Sequence, residues 1–322
     1  MSGQVLVTGA SGFVGRTVVE RAAAAGWRVH AASRHAPARR WPDGVLPVSI
    51  GDLGADAQAP PRLDGIDAVV HCAARVHVMA ESASDPLAAF RAVNVGGTLK
   101  LARQAADAGV RRFVFISTIG VNGAETFEQP FGAADTPAPH SPYARSKHEA
   151  EVGLRDLARQ RALEVVVIRP PLVHGPDAPG NFGRLMRWLY RGAPLPFGAV
   201  RNQRSLVGLD NLCDLIVTCL RHPQAAQQTF LVSDGEDLST PSLLRRIAAA
   251  LGRPARLLPV PVALLRGSAR LVGRSAFAQQ LCGSLQVDMR ATQQRLGWEP
   301  PISVDAALQR AAAHFLAGRA RR

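Results

Sequence analysis

The apolar run Gln4-Val5-Leu6-Val7-Thr8 passes without a break into Gly9-Ala10-Ser11-Gly12-Phe13-Val14-Gly15, and a helical pattern follows. Three glycines at this spacing let a chain turn tightly between a strand and a helix. They also bring backbone close to a pyrophosphate at the helix N-terminus, where free N–H groups and the helix dipole favour negative charge. Such a turn alone is weak evidence. It becomes strong after the first strand of an alternating pattern, and the pattern here does alternate. Strands are predicted at Gln4–Thr8, Arg28–Ser33, Val45–Ile50, Ala68–His71, Arg112–Ser117 and Glu164–Arg169. Helices are predicted at Gly12–Ala25, Pro86–Ala108 and Pro142–Gln160. Alternation of this kind gives a parallel sheet covered on both faces, so the fold class is α/β, a Rossmann-type doubly wound sheet.

After Pro170-Pro171 the segments shorten and become richer in proline and glycine. Strand-like pieces at Ser205–Gly208 and Thr229–Val232 predict that the chain returns to the first unit. The expected organisation is a dinucleotide-binding domain over 1–169, with returning segments from about 203–232. A smaller, interleaved α/β substrate-binding region covers 170–322. Amphipathic helices are predicted at Ser239–Gly252, Val262–Val272 and Val304–Ala317.

The second strand ends Ala31-Ala32-Ser33-Arg34-His35. An acid there would bind ribose hydroxyls and repel a phosphate. None is present, and Arg34 can pair with a 2′-phosphate, which favours NADP(H) and leaves NAD(H) possible. Arg34 can also be one arginine among many, since Arg39 and Arg40 follow. Asp52, before Leu53, can accept from an adenine amino group or merely begin a turn. Small residues in His71-Cys72-Ala73-Ala74 let a cofactor lie over the end of the fourth strand. Asn94, inside a predicted helix, reads more readily as a structural hydrogen-bonder.

Ser141-Pro142-Tyr143-Ala144-Arg145-Ser146-Lys147 places a tyrosine and a lysine on one helix face, with Ser141 as cap and Pro142 as first residue. The chain has only two tyrosines (Tyr143, Tyr190) and two lysines (Lys100, Lys147), so the pairing is improbable by chance. An ammonium beside a phenol lowers the phenol pKa, which makes Tyr143 a proton donor and acceptor near neutral pH.

A net charge of +13, from 38 basic and 25 acidic side chains, raises the question of nucleic acid. The arginines are scattered and not interleaved with aromatics, so a polyanionic small molecule is the favoured partner and no nucleic acid is expected. A weak attraction of the tail Arg319-Ala320-Arg321-Arg322 to acidic membrane surfaces stays open. No apolar run reaches membrane-spanning length, and no signal segment precedes the first strand. Cys72, Cys213, Cys219 and Cys282 form no CxxC pair, so a reducing cytoplasm, no disulfides and no metal site are expected.

Taken in order, these pieces resemble the extended short-chain dehydrogenase/reductases of the nucleotide-sugar epimerase/dehydratase group. The matching residues are Thr8-Gly9, Gly12, Gly15, Asp52, His71-Cys72-Ala73-Ala74, Asn94-Val95, Ser117-Thr118, Tyr143 and Lys147. Further on come Arg169-Pro170, Gly175-Pro176 and Leu296-Gly297-Trp298-Glu299-Pro300. The resemblance implies that Thr118 hydrogen-bonds the reacting sugar oxygen and Tyr143 moves its proton. Lys147 holds the nicotinamide ribose, and the cofactor handles the hydride. It implies cofactor contacts from Gly9, Ser11, Gly12, Phe13, Val14, Gly15, Arg34, Asp52, Leu53, Ala73, Ala74, Asn94, Ser117, Tyr143, Lys147 and Pro170. It implies substrate contacts from Arg75, Thr118, Asn181 and Arg204, with Arg204 on the diphosphate of a UDP-sugar. Asn181 can instead be a helix N-cap. A homodimer through the Pro86–Ala108 and Pro142–Gln160 helices is also implied.

Leu172 stands where many epimerases of the group carry asparagine. Two stretches, His71–Met79 and Ile116–Gly123, resemble a subgroup from surface-polysaccharide gene clusters that reduces UDP-4-keto-6-deoxy-N-acetylhexosamines. Reduction of such a C4 ketone is therefore the leading expectation, and 4-epimerisation of UDP-glucose or UDP-GlcNAc is the alternative. A 4,6-dehydratase is disfavoured because Ser117-Thr118-Ile119-Gly120-Val121 lacks a Thr-Asp-Glu arrangement. A non-catalytic cofactor-sensing protein on the same fold is remote, because the Tyr–Lys pair is kept.

Overall fold

The structure, a computed structural model, describes residues 3–35, 40–54, 62–76, 85–271, 273 and 275–320. Arg39, the stretch His77-Val78-Met79 and the tail residues Arg321 and Arg322 lie outside the described residues.

A seven-stranded sheet runs in the order β3-β2-β1-β4-β5-β6-β9. Its strands are β1 (Gln4–Thr8), β2 (Arg28–Ser33), β3 (Val45–Ser49), β4 (Ala68–His71), β5 (Arg112–Ile116), β6 (Glu164–Arg169) and β9 (Gln228–Leu231), all parallel. Both faces are covered, so the central strands are apolar through their middles and successive residues enter different cores. Val5 and Val7 belong to one cluster and Leu6 to the other; Val114 and Ile116 oppose Phe113 and Phe115 in the same way. Helix α1 (Phe13–Ala24) covers the first face, while α4 (Pro142–Gln160) covers the second.

The strand order reverses between β1 and β4, which opens a crevice at the carboxyl ends of the strands. The predicted Pro86–Ala108 helix is interrupted. It consists of α2 (Pro86–Arg91), a π-helical turn at Ala92–Gly97, and α3 (Thr98–Asp107). Gly97 explains part of this, since a Cβ there would lie 2.0 Å from the Leu53 carbonyl oxygen. Such π turns often mark functional sites.

A second core lies beneath a three-stranded sheet, β10-β8-β7. Its strands are β7 (Leu172–His174), β8 (Arg204–Gly208) and β10 (Asp237–Leu238). Of the two predicted returning strands, only β9 joins the large sheet. The piece at Ser205–Gly208 lies in β8 and pairs with β7 and β10 instead. Helices α5 (Asn181–Tyr190), α7 (Thr240–Ala250) and α11 (Val304–Ala320) pack around this core. Helix α6 (Leu209–Arg221) has no counterpart in the sequence expectation. It starts directly at the end of β8 with no side-chain cap, so the usual start signal is missing. Helices α8 (Val262–Leu271), α9 (Ser275–Cys282) and α10 (Arg290–Leu296) complete the chain.

Candidate active site

The glycine turn forms a cradle that side chains would fill. Gly9 has φ +67°, and a Cβ there would lie 2.8 Å from the Ala73 backbone nitrogen. A Cβ on Gly15 would lie 2.1 Å from the Gly9 oxygen, so only glycine lets α1 approach the turn this closely. Gly12 caps α1 with no side chain, which leaves the first-turn N–H groups of Phe13 and Val14 open toward the crevice end. Ser11 is exposed beside them. This backbone suits a dinucleotide pyrophosphate.

The ends of β1 and β4 are tied by a buried bridge. His71 Nδ1 lies 2.7 Å from Thr8 Oγ1, and His71 Nε2 lies 2.9 Å from Thr98 Oγ1. Burial, reinforced by the Lys147 charge, lowers the imidazole pKa to about 3, so it is neutral. Thr8 Oγ1 also accepts from the Ala73 N–H at 3.3 Å. The strand therefore ends in small residues held from below, and Ala74 follows half-buried.

Asn94 projects from the π turn and clamps Arg75. Its Oδ1 accepts from the Arg75 N–H at 2.8 Å, and its Nδ2 donates to the Arg75 carbonyl and to Ser146 Oγ, each at 3.0 Å. It is thus engaged structurally, as one of its two expected roles has it. The Arg75 guanidinium stacks 5.9 Å from the Phe90 ring, and Phe90 meets Tyr143 edge-on at 6.0 Å.

Ser141 caps α4 by accepting from the Ala144 N–H, and Pro142 opens it. Tyr143 and Lys147 then follow one turn apart. Lys147 is buried, with Nζ 4.0 Å from the Phe115 ring centroid. Burial lowers its pKa to about 7, against the opposing pull of Glu151. The expected depression of the Tyr143 phenol is reversed, because burial pushes it up to about 12. Desolvation alone accounts for this rise, and the phenol holds its proton at neutral pH.

Glu151, one turn past Lys147, carries a buried ion-pair network that the sequence motifs do not single out. It takes Nε and Nη2 of Arg169, accepts from Ser117 Oγ at 2.6 Å, and meets Arg155 at 3.1 Å. Its i+4 spacing from Lys147 was the available signal. Ser117 is thereby turned into this network; its hydroxyl does not face the crevice as a free donor. Arg169 Nη1 also donates to Asn122 Oδ1 at 2.9 Å.

Thr118 caps the short 3₁₀ turn Ile119–Val121, accepting from the Gly120 N–H. The Pro170 carbonyl accepts from the Ile119 N–H at 2.9 Å and fixes that turn to β6. Asp52 is exposed and begins a turn, accepting from the Gly54 N–H at 3.4 Å, while Leu53 packs on the core of the large sheet's α4 face. Arg34 is exposed at the end of β2, and its guanidinium has no partner among the described residues. Arg204 is half-buried on β8 and donates to the Gly283 carbonyl at 2.9 Å. Asn181 is the first residue of α5; Gly180 takes the cap position, and the Asn181 amide donates to Gln280 at 2.9 Å. Among the described residues no cluster of His, Cys, Asp or Glu can hold a metal, and the four cysteines are free.

A doubly wound sheet with a glycine cradle at its switch point and a Tyr–Lys helix beside it defines a dinucleotide-dependent enzyme of the extended short-chain dehydrogenase/reductase class. Residues 5–233 match the NAD dependent epimerase/dehydratase family, and the chain belongs to that family. A UDP-glucose 4-epimerase of Vibrio cholerae is 45% identical over 319 residues, 98% of this chain and 96% of the relative. The structure of a UDP-glucose 4-epimerase from Thermotoga maritima with UDP-glucose superposes with a TM-score of 0.77 at 21% identity, covering 98% of this chain and 99% of that one. The dTDP-glucose 4,6-dehydratase DesIV of Streptomyces venezuelae, with NAD bound, gives 0.78 at 25% identity over 99% and 98% of the two chains. The chain is accordingly an enzyme of the nucleotide-sugar epimerase/dehydratase type.

Proposed function

We propose that this enzyme interconverts the C4 epimers of a UDP-hexose, UDP-glucose or UDP-GlcNAc, with NAD held in the glycine cradle. The observation that carries this reading is the 45% identity, over nearly the whole of both chains, to a UDP-glucose 4-epimerase. It supports the epimerase in preference to the reductase that the sequence motifs put first.

Bound NAD supplies a reversible hydride acceptor. Tyr143 takes the proton of the C4 hydroxyl in the oxidising half and returns it in the reducing half. Burial holds the phenol near 12, so in this reading the phenolate needs a positive charge beside it, supplied by Lys147, to come within reach. Lys147 also holds the nicotinamide ribose. Thr118, at the crevice end of β5, hydrogen-bonds the reacting oxygen. Arg204 neutralises the substrate diphosphate, with Arg75 and Asn181 at the sugar and nucleotide ends. Gly9, Gly12 and Gly15 would hold the cofactor pyrophosphate, and the small residues Ala73 and Ala74 at the end of β4 would leave room for the cofactor. We also infer a cytoplasmic homodimer through the outward faces of α2–α3 and α4, where Val152 is exposed.

Two observations favour a second reading. The end of β2 has no acid and carries Arg34, whose guanidinium has no partner among the described residues, and Leu172 is exposed where a polar substrate contact is expected. Both suit a reductase of a UDP-4-keto-6-deoxy-N-acetylhexosamine drawing on NADPH. The test offers the purified protein UDP-glucose, UDP-GlcNAc and the 4-keto sugar, with NADH or NADPH. Equilibration of C4 epimers without net cofactor change supports the epimerase. Stoichiometric loss of reduced cofactor with the keto sugar, and no equilibration, replaces it with the reductase.

A further inference from the structure

The arm Pro137-Ala138-Pro139-His140-Ser141-Pro142 leads into α4, and three of its residues are proline. Each proline fixes its own φ and biases the residue before it toward extended backbone, so the arm has little freedom to lose. It is held at both ends. The Ala138 N–H donates to the Val121 carbonyl at 2.9 Å, and Ser141, extended at φ −137°, caps α4 by accepting from the Ala144 N–H.

His140 lies between these anchors, and its imidazole rests on the turn that carries Thr118. A Cβ on Gly120 would lie 3.2 Å from His140 Cε1, 3.4 Å from Ala144 Cβ and 3.5 Å from Thr118 Oγ1. One point beside the turn is therefore shared by the imidazole, the first turn of α4 and the Thr118 hydroxyl. Glycine at 120 leaves the ring its place, since a side chain there would crowd it. Cε1 stands between the two ring nitrogens, so a ring seated through this carbon carries a nitrogen on either side of the contact. The imidazole is exposed, and it has no hydrogen bond, ion pair or ring contact among the described residues. A rigid arm thus brings a polar group with unused hydrogen-bonding capacity beside Thr118 and one turn before Lys147 and Tyr143 complete the site.

We propose that His140 is a further sugar-binding residue of this site, its imidazole hydrogen-bonding a hydroxyl next to the reacting C4 oxygen, at C3 or at C6. The inference rests on the proposed reading of the crevice as a UDP-sugar pocket. The C3 and C6 hydroxyls flank the C4 oxygen of a hexose. A sugar whose C4 oxygen meets Thr118 Oγ1 therefore brings a second hydroxyl toward the ring seated beside Thr118. The arm is ordered before the sugar arrives, so the contact is made at little entropic cost.

The test measures, by calorimetry on the full-length protein, the affinity of wild type and His140→Ala for UDP-glucose, its 3-deoxy and 6-deoxy analogues, and UDP alone. His140→Ala should weaken UDP-glucose about 3- to 10-fold, the loss of one hydrogen bond, and leave UDP within about twofold. One analogue, lacking the bonded hydroxyl, should bind wild type and variant alike, and it identifies that hydroxyl. Equal affinity of wild type and variant for UDP-glucose overturns the proposal. An equal loss for UDP also overturns it, because His140 would then be structural, as does an effect of the substitution that persists with both analogues. Failure of wild type to bind either UDP or UDP-glucose overturns the UDP-sugar reading and this inference with it, whereas binding of UDP-glucose without turnover strikes the epimerase reading alone.

Discussion

Gly15 and Tyr143 sit at the two extremes of what a residue position tolerates. A methyl group on Gly15 would meet the Gly9 oxygen at 2.1 Å, with backbone on both sides and nothing flexible to yield. Gly15→Ala should therefore push α1 off the turn, cost about 2 kcal/mol or more in a urea melt, and strip retained NAD from the purified protein. Tyr143→Phe removes one oxygen from a half-buried ring. It should leave the melting temperature within a few degrees and lower kcat about 10²- to 10⁴-fold; activity equal to wild type would remove Tyr143 from the chemistry. His71 gives a pH signature. Its folded pKa of about 3 lies below the ordinary value of 6.5, so the unfolded chain binds the extra proton between these limits. Stability should fall as pH drops from about 6.5 toward 3, by about 1.4 kcal/mol per pH unit from this group, as read by denaturant melts. His71→Gln should flatten that limb while lowering stability at neutral pH.

At the scale of elements, the network around Glu151 locks α4 to β5 and β6. Arg169 and Glu151 are both fully buried, so removing the carboxylate leaves a guanidinium without its counter-charge. Glu151→Gln should cost about 3–5 kcal/mol in chemical denaturation. It also withdraws the charge that raises the Lys147 pKa, so any Lys147-dependent limb of the pH–rate profile should move to lower pH. Ser117 donates into the same network, so Ser117→Ala should lower stability by about 1–2 kcal/mol and leave cofactor affinity nearly unchanged. A large loss of NAD affinity in that variant would restore Ser117 to the cofactor site. The interruption of α2–α3 belongs here too. Apolar periodicity runs through Pro86–Ala108 as one helix, yet one turn is widened where Gly97 comes so close to the Leu53 backbone that no side chain would fit and where Asn94 makes three bonds. Those partners lie far away in sequence, so no local pattern announces them.

In the whole molecule, the small sheet meets the large one through Asp234, just past β9. Its Oδ1 accepts from the Gly208 N–H and Asn211 Nδ2, each at 2.7 Å, and its Oδ2 lies 2.8 Å from His174 Nε2. Asp234→Ala leaves the buried Gly208 N–H and His174 imidazole unpaired and removes one of the two bonds of Asn211 Nδ2, which keeps the Ile302 carbonyl; it should cost about 3 kcal/mol or more, and a urea midpoint unchanged from wild type would show that the latch is dispensable. The strands of the large sheet, the glycine turn, the Ser141 cap and the Tyr143–Lys147 helix are legible in the sequence, because each is set by local periodicity, capping and the conformational freedom of glycine. The assignment of β8 to a second sheet, the existence of α6 and the turning of Ser117 toward Glu151 are not. The sign of the Tyr143 shift is hidden in the same way: spacing shows that a lysine is near, but not how much water is lost. Local sequence by itself determined the elements and their chemical inventory, since those rest on interactions within a few residues. Only the tertiary structure decided which buried groups face one another and how dry they are, since burial and long-range pairing depend on residues brought together from distant parts of the chain.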